Sequence, residues 1–160
     1  MNNGIMTLLF VAAAALPQIA GAGADHPELS AADQAYSAGD YETAVRLYRR
    51  DAELGVVAAQ VNLAFMFLDG MGVAQDFGQA AQWFERAAEL GSAEAQQNLG
   101  VLYRDGKGVA ASAVEAVKWF RIAGANADAL VLEQTMSPEQ VGDAKELAET
   151  WIAAHKKPAR

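Results

Sequence analysis

The chain has no cysteine among its 160 residues, and that one absence closes several routes. Disulfides, thiolate metal sites, a thiol nucleophile and a lipid anchor on a signal-peptide cysteine are all excluded. Histidine is nearly as scarce: His26 and His155 stand at opposite ends of the sequence, whereas a general base needs a partner within hydrogen-bond reach. His155 reads as a favourable cation at a helix C-terminus, and His26 as part of an N-terminal tail. Basic residues number 12 against 20 acidic ones, a net charge of -8. Such a surface repels a polyanion, so no nucleic-acid partner is expected. The basic end, Lys156, Lys157 and Arg160, is too small to reverse that.

Apolar runs are also lacking, apart from one at the start. Ile5 to Ala15 is apolar, and Pro17 and the small residues Ala20 to Ala24 follow before Asp25. The run is short for a bilayer span and its small residues suit a signal peptidase, so residues 1–24 are expected to be a cleavable export signal. The segment before the run, Met1 to Gly4, carries no Lys or Arg, which departs from the usual signal. The expectation is a periplasmic or secreted protein with no stable membrane insertion after cleavage.

The remaining sequence repeats itself. At an offset of thirty-six, Ala59-Gln60 falls on Ala95-Gln96, Asn62-Leu63 on Asn98-Leu99, Asp69-Gly70 on Asp105-Gly106, and Gly72-Val73 on Gly108-Val109. The same offset aligns Ala44, Ala80 and Ala116, then Leu47-Tyr48, Trp83-Phe84 and Trp119-Phe120, and Gly55 with Gly91. An unbroken order at one period marks a structural repeat. Apolar residues within each unit recur at three and four, so each unit is two amphipathic helices. Gly70-Met71-Gly72 and Gly106-Lys107-Gly108 are turns between them, and Gly55 and Gly91 end the second helices. A phosphate cradle is a poor alternative, since a helix precedes each glycine loop where that chemistry wants a strand. Nor do Asp69 and Asp105 have the alternating oxygen ligands of a calcium loop; they suit local turn or cap bonds.

The run Ala93 to Val109, with Ala116, Trp119-Phe120 and the earlier Trp83 to Gly91, resembles the Sel-one-like repeat, a relative of the tetratricopeptide repeat. The resemblance covers 56–91 and 92–127. It implies an all-α fold, a short right-handed solenoid of antiparallel helix hairpins, about four including divergent ends. The domain is then 25–160: a tetratricopeptide-like hairpin at 29–55, the two repeats, and capping helices at 128–156. Gly124, where the preceding unit has Ala88, and Ala110-Ala111-Ser112, in place of Ala74-Gln75-Asp76, loosen the register of the third unit.

The ends carry their own signals. Ser30 and Asp40 are candidate N-caps. Ser137-Pro138-Glu139-Gln140 is a capping box, with Met136 placed to staple onto Val141. Val141, Ala144, Leu147, Ala148, Trp151 and Ile152 then form one apolar stripe, as a terminal cap requires.

Candidate chemistry is sparse. The Trp-Phe pairs recur at the repeat period, which favours inter-helix core over a glycan-stacking platform. Glu85, Glu89 and Glu94 suit solvated helix faces. Neither a metal, a cofactor nor a catalytic set is expected. In tetratricopeptide arrays the first helices line a concave groove, and by resemblance the candidate partner-binding residues are Val61, Phe65, Leu68, Gln97, Val101 and Arg104. The first three are unusually apolar for a solvated face, and are either groove or the seat of the preceding helix. The implied function is that of a monomeric, non-enzymatic adaptor that binds a protein or peptide in the bacterial cell envelope. A glycan or small-molecule binder is the alternative, and a cell-wall enzyme a more distant one.

Overall fold

Every described element is a helix. The structure, a computed structural model, describes residues 27–155, with side chains from 31 onward. The expected signal segment, His26 and the basic residues after 155 lie outside that range. In chain order the helices are α1 (Pro27–Ser37), α2 (Tyr41–Glu53), α3 (Val57–Asp69), α4 (Phe77–Glu89), α5 (Ala93–Asp105), α6 (Ala113–Ile122), α7 (Asn126–Glu133) and α8 (Pro138–His155). The pairs α1–α2, α3–α4 and α5–α6 are hairpins, each second helix also packs on the next first helix, and α7 and α8 both pack on α6. This is the solenoid arrangement the repeat implies.

The boundaries follow from local hydrogen bonding. Asp40 accepts from the Thr43 amide, Asp76 from Gln79, Ser92 from Ala95 and Ser112 from Glu115. Each satisfies an amide that the first turn of a helix leaves without a partner. Gly70 and Gly106 end α3 and α5 in the left-handed conformation. The capping box is reciprocal: Gln140 N–H donates to Ser137 Oγ at 3.2 Å, and Ser137 N–H to Gln140 Oε1 at 3.0 Å. Three expectations need correcting. Ser30 lies inside α1 and does not cap it, Asp105 does not cap its turn but pairs with Arg104, and the Asp69 side chain makes no turn or cap hydrogen bond among the described residues.

The aromatic residues of the repeat fill the core. Tyr48, Phe84 and Phe120 are almost fully buried, as are Trp83 and Trp119. Small residues let helices approach them: a Cβ on Gly100 would stand 2.7 Å from the Phe120 ring. The α8 stripe is covered only along its centre, because α8 rests on α6 alone over most of its length. Ala144 and Ala148 are buried, but Leu147 and Ile152 are each 43% exposed, against expectation.

The junction between successive units is held at both ends of the second helix. At its C-terminal end, buried Gln60 donates to the Ala52 carbonyl at 3.1 Å, and Gln96 to the Ala88 carbonyl at 3.0 Å. At its N-terminal end, Gly72 lies against Tyr41 and Gly108 against Phe77. A Cβ at Gly72 would meet the Tyr41 carbonyl carbon at 2.3 Å, and one at Gly108 the Phe77 oxygen at 2.1 Å.

The third unit is shorter. Its second helix has 10 residues where α4 has 13, and its terminal left-handed glycine, Gly124, comes thirty-three residues after Gly91. No glutamine reaches back across the α6–α7 junction. The Arg121 guanidinium binds Glu133 there instead, with Nε 2.7 Å from Oε1.

Two substitutions separate these constraints. Gly91→Ala, where a Cβ meets open space, is expected to cost about 1 kcal/mol for the left-handed backbone alone. Gly108→Ala adds a collision with backbone and should cost at least about 3 kcal/mol, both measured by urea unfolding. Gln96→Glu sets a carboxylate oxygen against a carbonyl and should destabilise by about 3 kcal/mol at neutral pH. That loss should recover in acid, where the protonated carboxyl can donate again.

Candidate functional site

The candidate partner-binding residues lie on the first helices α3 and α5, which present them differently. α3 is apolar around nearly its whole circumference, so packing between two hairpins covers most of it. Val61 is only 5% exposed and belongs to the core, which removes it from the partner-binding set. Phe65 is half-buried and meets Phe84 of its own hairpin edge to face, at 5.1 Å between centroids and 84° between planes. Leu68 is also half-buried, and its carbonyl accepts from Gln75 Nε2 at 2.7 Å. The apolar trio thus divides into one core residue and two at the boundary between core and surface.

On α5 the corresponding positions reach solvent. Gln97 and Arg104 are exposed and Val101 is half-buried. Gln97 Nε2 lies 3.4 Å from Asp128 Oδ2 of α7. Arg104 Nε lies 2.7 Å from Asp105 Oδ1, and that hydrogen bond, with the charge of Asp105 and Asp128, raises the guanidinium pKa further. The five candidates other than Val61 thus lie at outward positions of two successive first helices, with Phe65 equivalent to Val101 and Leu68 to Arg104 at the repeat offset.

Two tyrosines of the first hairpin make polar contacts that were not singled out by sequence. The Tyr48 hydroxyl donates to Asp33 at 2.5 Å, with Asn62 close by, and burial pushes the phenol far above its usual range. Tyr36 packs edge to face on Tyr41 at 5.3 Å, and its hydroxyl lies 3.6 Å from Met71 Sδ. The available signal was a break in the repeat, since Tyr48 stands where the later units have Phe84 and Phe120. A hydroxyl in a position otherwise filled by phenylalanine demands a polar neighbour.

Carboxylates near this surface are partly desolvated. Burial raises the pKa of Asp69 and of Glu94 above the ordinary range. Neither has an ion-pair partner among the described residues. On α8, His155 stacks on Trp151 at 3.8 Å, its Nδ1–H donates to the Trp151 carbonyl at 2.9 Å, and its Nε2 stands 3.4 Å from Glu89 Oε2. Glu89 is thus a docking point for α8 as well as a solvated carboxylate. Among the described residues no three His, Asp or Glu side chains gather to hold a metal, and no helix is long and apolar enough to cross a membrane.

Comparison with known proteins adds to this geometry. The family model described as Sel1 repeat matches residues 31–56, 57–92 and 93–128, so it extends over most of the first hairpin as well. Among solved structures, a protective antigen of uropathogenic Escherichia coli strains displaying an SLR fold is 27% identical with a TM-score of 0.76. That match covers 86% of this chain and 34% of the antigen. A Sel1 repeat protein from Oxalobacter formigenes is 29% identical with a TM-score of 0.56, covering 78% of this chain and 54% of the other. The chain therefore spans about a third and about half of these two proteins. No curated protein matches it.

Asp69 offers a test of the desolvated charge. Its raised pKa means the folded state holds the proton more tightly than the unfolded chain, so ionisation opposes folding, and its place in the last turn of α3 opposes the helix dipole too. Asp69→Asn should raise the thermal midpoint at neutral pH. The gain should vanish below the ordinary carboxylate range, where both states of the parent chain are protonated. Thermal melts at the two pH values check this.

Proposed function

The chain belongs to the Sel1 repeat family, and from that premise we propose that it is a non-enzymatic adaptor that binds a protein segment in the bacterial cell envelope. Proteins of this family are in general protein-interaction modules. The observation that carries the reading is the face shared by α3, α5 and α7. Phe65, Leu68 and Val101 leave part of their apolar surface uncovered, and Gln97 and Arg104 supply donors beside them. An interaction site is often recognised by such an apolar centre with a polar rim. Val131 of α7, 67% exposed and one helical turn from Asp128, adds an apolar side chain on that flank. Placement in the envelope rests on residues 1–24 as an export signal, which would leave a chain beginning at Asp25. The glycan-binding alternative draws little support, because Trp83 and Trp119 are 8% and 2% exposed and offer no stacking platform.

Site-specific photocrosslinking in cells tests the reading. A photoreactive residue at Gln97 or at Val131 should yield the same protein adduct in the envelope fraction, on a chain whose intact mass begins at Asp25. The same residue at Lys145 on α8 should yield none, and Arg104→Glu should reduce the Gln97 adduct several-fold while the helical spectrum stays unchanged. Equal adducts from both faces, or recovery only from the cytoplasm, would overturn it.

A further inference from the structure

Charge is unevenly divided between the two sets of helices. α1, α3, α5 and α7 carry seven carboxylates, in the order two, one, two and two, against a single base, Arg104. The second helices α2, α4 and α6 carry six acidic and six basic residues. Three quarters of the chain's net charge of -8 therefore sits on these four helices, of which α3, α5 and α7 bear the proposed binding face. Repeat packing does not require this: the paired helices are covered by the same core and could carry either sign.

The individual contacts sharpen the asymmetry. Arg104 is already engaged by Asp105, and Asp128 accepts only the neutral Gln97 amide. Asp33 accepts the Tyr48 hydroxyl. Asp69 and Glu94 have no cation beside them among the described residues, although burial already disfavours their charge. On α5, Glu94 shares a face with Gln97, Val101 and Arg104 at helical spacing, and on α3 Asp69 follows Leu68. Acidic groups therefore border the apolar positions on successive helices.

Resting on the binding role proposed above, we propose that the occupant of this face is a cationic amphipathic protein segment, with apolar side chains seated at Phe65, Leu68 and Val101 and Lys or Arg side chains placed against Asp69, Glu94 and Asp128. The segment's charges supply the counterions that these carboxylates lack, and complementary charge speeds encounter and rejects acidic competitors. An apolar acidic segment would meet the same seats but place its charges against theirs.

Fluorescence anisotropy with the full chain tests this, using a labelled Lys/Leu amphipathic peptide and a Glu/Leu peptide of the same pattern. The Lys/Leu peptide should bind, more weakly as salt is raised, and the Glu/Leu peptide should bind at least about tenfold more weakly. Glu94→Lys/Asp128→Lys should lose about tenfold or more. Glu139→Lys/Glu146→Lys on α8 changes the net charge equally and should lose little. Circular dichroism verifies that both variants fold, and Glu94→Gln/Asp128→Asn gives an intermediate loss without charge reversal. Equal losses from the two charge-reversal pairs would overturn the proposal, because binding would then read overall charge. Equal affinity for the Glu/Leu peptide, or binding of neither peptide, would overturn it too. Binding of the Glu/Leu peptide that is lost with Arg104→Glu would defeat the cationic assignment while leaving the binding face in place. Crosslinks that fall equally on Gln97 and Lys145 would instead defeat the face itself.

Discussion

Two contacts at each of the α2–α3 and α4–α5 junctions determine how the hairpins stack. A buried amide, Gln60 or Gln96, reaches the last turn of the preceding helix, and a side-chain-free position, Gly72 or Gly108, presses on the first turn of that same helix. Held at both ends, a helix can neither slide along its neighbour nor pivot about one point. The amide alone would be worth about 1 kcal/mol net, since the Ala88 carbonyl also accepts from Gly91. Its value lies in direction: only one register sets that donor opposite that carbonyl. The glycine adds a steric limit that no larger residue can meet.

A fixed backbone frees the outward positions from structural duty. The second helices use theirs for balanced surface charge and aromatic packing, with Arg86 over Trp83 and Lys118 over Trp119, each 4.5 Å from the ring centroid. The first helices leave theirs acidic and partly apolar. Uncompensated carboxylates such as Asp69 diminish stability slightly, and their retention on one surface is easier to understand as a property of binding than of folding.

Much of the architecture was legible in the chain because repetition makes each local signal count twice. Caps at Asp40 and Ser137, glycine terminators and buried Trp-Phe pairs all followed from residue type and spacing. Other features depended on three-dimensional neighbours. Nothing in the pattern separates Val61, which is core, from Val101, which reaches the surface; the difference is that apolar α3 is covered on most sides. The role of Gly108 was read only as turn geometry, because its steric partner Phe77 lies one repeat back. Leu147 and Ile152 fit the apolar period of α8 but stand at the edges of a helix with one principal neighbour. The shortened third unit was visible at Gly124, though its replacement of a glutamine clamp by the Arg121–Glu133 pair was not.

In a linear array each unit leans only on the next, so an end can open while the middle remains closed. Here α8 rests on α6 and also reaches α4, with Trp151 beside Trp119 at 6.0 Å and its indole N–H directed at Glu89. That bridge couples units that are not adjacent in the stack. Fraying of the last helix must then disturb two repeats together, which raises the cost of partial opening and makes the short array melt more nearly as one cooperative block.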